Sequence, residues 1–184
     1  MVEVDRAPGI RPRPTLARRL DVVARRCFPV SCTVALMLLA NAPLGVPDQP
    51  VMLPAVTVAS VFFWSLFRPA SMPPPAVFSI GLLLDLMGWL PVGDGVITLL
   101  LVHGLCLRWR RTLVRQGFLM VWIAFLGFAA GSAALIWAIA ALLAFQLLPP
   151  EPAIFQAVLT GALYPVLAIT FARAHRTVAD PARA

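Results

Sequence analysis

Apolar residues run along the chain in long blocks, broken only by short clusters of proline, glycine or charge. They lack the strict alternation of half-buried strands. The blocks predict six helices near residues 28–46, 51–67, 74–91, 92–108, 117–145 and 153–172. Most are close to the ~20 apolar residues that cross a ~30 Å hydrocarbon core, and the fifth must tilt or extend past the interface. The predicted fold class is an all-α integral membrane protein with six transmembrane helices. The membrane domain covers 27–173, after an Arg- and Pro-rich arm over 1–26 and before a short polar tail over 174–184. The arm reads as largely unstructured, with an amphipathic helix against anionic lipid available from Leu16 to Arg26.

Composition agrees with that pattern. The 184 residues are 60% hydrophobic and 12% charged, which leaves too few polar side chains to cover a soluble core. The net charge of +7 raises the question of nucleic acid, and its placement answers it. Arginines fill the arm from Arg6 to Arg26. Arg68 follows the second block, Arg108, Arg110, Arg111 and Arg115 follow the fourth, and Arg173, Arg176 and Arg183 follow the sixth. The intervening loops carry only Asp48, Asp94 and Glu151. A six-span path puts every arginine on one side, the positive-inside pattern, with both termini cytoplasmic. Orientation accounts for the charge, and no nucleic acid partner is expected.

Residues Ala40-Asn41-Ala42 imitate a signal-peptidase site, but Pro43 would follow the cut and disfavours cleavage, so the first helix is expected to stay. Cys27, Cys32 and Cys106 show neither CxxC nor Cys/His spacing and read as structural thiols, with no metal site.

Within the blocks, Asp85 stands out, because a charge at the bilayer centre costs about 2.5–3.5 kcal/mol. Gly81, Asp85 and Gly88 fall on one helical face, so another helix can approach closely and Asp85 points inward. Two readings stand: a packing hydrogen bond, with Thr98 as partner, or a proton or ligand site. The lack of a second deep ionisable group favours the first. His103 is shallower, roughly 7 Å along the axis from Asp85, and reads as an interfacial or packed histidine. Pro91, Gly93 and Gly95 mark a tight outer turn. Gly127 and Gly131, continued by Ala134, Ala138 and Ala141, form a small-residue face suited to helix packing, inside the molecule or with a partner. Gly161, Tyr164 and Pro165 predict a kink. HExxH, GxSxG, P-loop and paired-carboxylate signatures are all missing, so no catalytic, cofactor-binding or metal-binding residues are assigned. An enzyme is not expected.

The runs Val61 to Pro69 ("VFFWSLFRP") and Phe78 to Val102 resemble the rod shape-determining protein MreD family. The elements that carry the resemblance are Trp64, Pro69, Gly81, Leu82, Leu83, Asp85, Gly88, Pro91 and Gly93, in that order and spacing. Asp94-Gly95 departs from the family pattern, in which an apolar residue or Asn follows the turn. The resemblance implies a fold similar to the substrate-binding subunits of energy-coupling factor transporters. It also implies a non-enzymatic scaffold of the bacterial inner membrane that couples MreC and MreB to lateral peptidoglycan synthesis. Implied partners are the MreC transmembrane helix, MreB, RodA, a penicillin-binding transpeptidase and membrane lipid. The fold likeness supplies one alternative, a vitamin-like small-molecule binding subunit. Asp85 supplies another, a proton-linked carrier.

Overall fold

The computed structural model describes residues 16–42, 49–88 and 91–179. Among them are six helices and no strand: α1 (Leu16–Asn41), α2 (Gln49–Phe67), α3 (Pro74–Met87), α4 (Asp94–Leu113), α5 (Phe118–Ala144) and α6 (Glu151–Ala179). A single 3₁₀ turn, Pro69–Ser71, links α2 to α3.

α2 is the centre of the bundle, packed against α1, α4, α5 and α6. From Ala55 to Leu66 every residue is buried, as expected for a helix that is apolar all round. Two of its three buried hydroxyls are satisfied within the helix: Thr57 donates to the Leu53 carbonyl at 2.6 Å and Ser60 to that of Val56 at 2.7 Å. Around α2, the remaining helices pack most closely in sequential pairs, α3 with α4 and α5 with α6. Aromatic rings fill the joints. Phe62 meets Phe125, Phe128 and Tyr164 at centroid distances of 5.0–5.6 Å, and Trp64 is enclosed by Phe28, Phe63 and Phe171.

Side-chain contacts fix the helix directions. Cys106 lies 3.7 Å from the Phe62 carbonyl, and Arg110 Nε donates to the Leu66 carbonyl at 2.8 Å. Both pairs have the same sequence offset of 44, so α2 and α4 run parallel, with their arginine-bearing C-terminal ends together.

The helices extend beyond the apolar blocks in three places. α1 begins at Leu16, so residues 16–26 belong to the same helix as the first apolar block, and residues 1–15 lie outside the described residues. The helix passes through Pro29, whose carbonyl accepts the Thr33 hydroxyl at 2.8 Å. α4 continues through Arg108, Arg110 and Arg111, cations that suit the negative end of a helix dipole. α6 likewise continues past Arg173 to Ala179, with Pro165 inside it and no break there.

Two helices, Phe118–Ala144 and Glu151–Arg173, are long and apolar enough to cross a membrane, and Arg26–Asn41, Val51–Phe67 and Pro74–Met87 are shorter apolar helices. Large apolar side chains cover the outside as well as the core. Leu82, Leu86, Ile97, Leu101, Ile123, Ile154, Val158 and Val166 are all exposed. An apolar surface of this extent calls for lipid or protein partners.

Candidate functional site

The Asp85 environment is built by the end of α3 and the start of α4. α3 stops at Met87, with Gly88 as its C-cap, donating its N–H to the Leu84 carbonyl at 2.8 Å. The chain then turns over Pro91–Asp94, closed by the Asp94 N–H on the Pro91 carbonyl at 3.1 Å. Gly93 occupies the third position of that turn at φ +106°, a left-handed conformation that glycine adopts without a Cβ penalty.

Asp85 closes this turn from the neighbouring helix. The Gly93 N–H donates to Oδ2 and the Gly95 N–H to Oδ1, each at 2.7 Å. Those N–H groups belong to the N-cap and the second residue of α4, where helical backbone lacks partners of its own. The carboxylate therefore acts as an N-cap supplied in trans, and its charge meets the positive end of the helix dipole. The glycines give it room. A Cβ on Gly95 would lie 2.5 Å from Asp85 Oδ1, and a Cβ on Gly81 would lie 2.6 Å from the Val96 Cα. Gly81 thus lets the two helix backbones touch. Gly95, the departure from the MreD pattern, is the residue this carboxylate requires.

The expected Asp85–Thr98 bond does not form. Asp85 is taken up by backbone N–H groups of the turn, and Thr98 Oγ1 has no hydrogen-bond partner among the described residues. Asp94 is just as buried, at 2% exposure, and neither of its oxygens has a partner among them. His103 is packed inside the bundle, where Nδ1 shares a 2.7 Å hydrogen bond with Ser65 Oγ on α2. It joins α2 to α4 and does not meet Asp85. Among the described residues no group of three or more His, Cys, Asp or Glu comes together.

The two other motifs separate. Trp64, fully buried in the last turns of α2, is a core residue, and Pro69 opens the 3₁₀ turn that follows. Gly127 and Gly131 lie on the exposed side of α5, with nothing within 4 Å of an added Cβ. α5 packs inward through Phe125, Phe128, Ala129 and Ser132 instead. The small-residue face is therefore not used inside the molecule. The close α5–α6 approach is at Gly161, whose Cβ position Leu126 occupies and whose carbonyl accepts the Trp122 Nε1–H at 3.0 Å. Gly161 serves packing.

At the opposite end from Asp85, the arginines converge. Arg26, Arg68 and Arg110 line one cavity of ≈ 440 Å³ together with Phe67 and the 3₁₀ turn. Phe67 also lines a second, mainly apolar groove of ≈ 400 Å³ formed by Phe63 of α2, Phe118 and Val121 of α5, and Tyr164 and Ala168 of α6, with Arg173 beside it. The sequence reading assigned these arginines to orientation and had no signal for their convergence, because they come from α1, from the residue after α2 and from α4. No family model, curated protein or solved structure matches the chain.

Proposed function

We propose that the chain is a six-span inner-membrane protein with cytoplasmic termini that serves as a non-enzymatic scaffold of the MreD type in cell elongation. The observation that carries the reading is the exposed small-residue face of α5, which none of the chain's own described helices covers. Small residues in this register let a foreign transmembrane helix approach to backbone contact, as docking of the MreC helix requires. The use of Asp85 agrees with it. A carboxylate holding two backbone N–H groups is spent on structure, which counts against a proton-linked carrier. A vitamin-binding subunit would need a polar pocket opening outward, at the end away from Arg26, Arg68 and Arg110. The segregation of Arg26, Arg68, Arg110 and Arg173 to that end supports the inside-in orientation.

Depletion in the source bacterium tests the function. Rods should round into spheres, and an MreC-type single-span protein should co-purify with the tagged chain. Normal rods after depletion would remove the scaffold reading.

A further inference from the structure

We infer that the Arg26–Arg68–Arg110 cavity is a binding site for the phosphate of an anionic phospholipid, with Phe67 guiding an acyl chain into the adjoining apolar groove. The inference rests on the membrane reading above. Three guanidinium groups, from α1, from the residue after α2 and from α4, line one cavity, and none of its described lining residues is acidic. Planar guanidinium donors match phosphate oxygens in geometry as well as charge. Arg110 is held in place by its Nε bond to the Leu66 carbonyl, so one wall of the cavity is preorganised.

The second half of the fit is the neighbouring groove. Phe67 is 43% exposed and lines both spaces, so a polar, positively charged compartment and an apolar one share a wall. A free anion would use only the first, and an alkyl chain only the second. A molecule carrying a phosphate on an acyl tail uses both. In the proposed orientation the cavity also lies at the cytoplasmic headgroup level, where basic pockets between helices hold anionic headgroups.

The full-length chain is placed in nanodiscs of phosphatidylcholine and phosphatidylglycerol in equal parts, and native mass spectrometry reads the lipid it retains. The chain should keep phosphatidylglycerol in preference to phosphatidylcholine. Arg26→Gln and Arg68→Gln should each lower that retention about tenfold, the loss of one charge-assisted contact. Arg110→Lys, which keeps the charge, should lower it less than Arg110→Gln. Arg108→Gln and Arg115→Gln, exposed at the same end but outside the cavity, should leave it unchanged. Circular dichroism confirms that each variant counted is helical.

Equal losses from Arg108→Gln and Arg68→Gln would mean diffuse charge attraction and overturn the site, as would retention that no cavity variant alters. An excess of inorganic phosphate should fail to displace the lipid; complete displacement would make this a free-phosphate site and overturn the lipid assignment. Alkaline carbonate extraction separates the two levels of failure. A chain released into the soluble fraction loses the membrane reading itself, and this inference with it. A chain that stays in the membrane without selecting phosphatidylglycerol loses only this inference.

Discussion

Asp85 owes its place to two backbone N–H groups, and that fixes what its substitution should do. Asp85→Ala leaves the buried Gly95 N–H and the half-buried Gly93 N–H without their acceptor. It should cost about 2–4 kcal/mol, from the usual cost of losing hydrogen bonds to a charged group. Gly81→Ala should cost about 1–3 kcal/mol, because the new methyl meets backbone and the helices must separate. Asp94→Asn should leave stability unchanged or raise it by up to about 1 kcal/mol, since it removes a buried carboxylate that has no hydrogen bond to lose. Thermal unfolding in detergent measures all three, and a silent Asp85→Ala would show that the turn is held by something else. The sequence made the inward position of Asp85 legible through its glycine-flanked face. The identity of its partner was not legible, because side-chain pairing guesses overlook backbone donors. Those donors become available only once the chain turns at Gly93.

Among the helices, α5 has the most uncommitted surface. Its inner side is aromatic and packed, and its outer side includes an exposed row of Gly127, Gly131, Ala134 and Ala138, with nothing within 4 Å of a Cβ added at either glycine. Gly127→Leu combined with Gly131→Leu should therefore leave unfolding within about 0.5 kcal/mol of the parent, as surface changes do. Under the scaffold reading the same variant should lose its co-purifying partner helix. Retention of the partner would move the docking face away from α5. Helix number and order were readable from the apolar blocks. The ends were less so, because α1, α4 and α6 carry their arginines within the helix, where a charge-based boundary stops short. The small-residue row was visible too, but the sequence could not say whether its partner was internal.

For the whole molecule, the separation of charge between the two ends makes a topological prediction. In a cysteine-free background, Val92→Cys in the turn and Gln116→Cys between α4 and α5 place one exposed thiol at each end. A membrane-impermeant maleimide added to spheroplasts should label the first and not the second. The reverse pattern, or labelling of both, would remove the six-span, inside-in arrangement. The alternation of arginine-rich and arginine-free loops was visible in the sequence as a one-dimensional pattern. The cavity made by Arg26, Arg68 and Arg110 was not, since it depends on α2 and α4 lying parallel around a shared core.

The turn between α3 and α4 also bears on how such a chain is made. The two donors to Asp85 lie only eight and ten residues beyond it. The carboxylate can therefore meet both donors within the α3–α4 hairpin, before α5 and α6 have been synthesised. A nascent chain would then carry the donors for its buried carboxylate within one hairpin, so that carboxylate need not wait for the rest of the bundle to find hydrogen-bond partners.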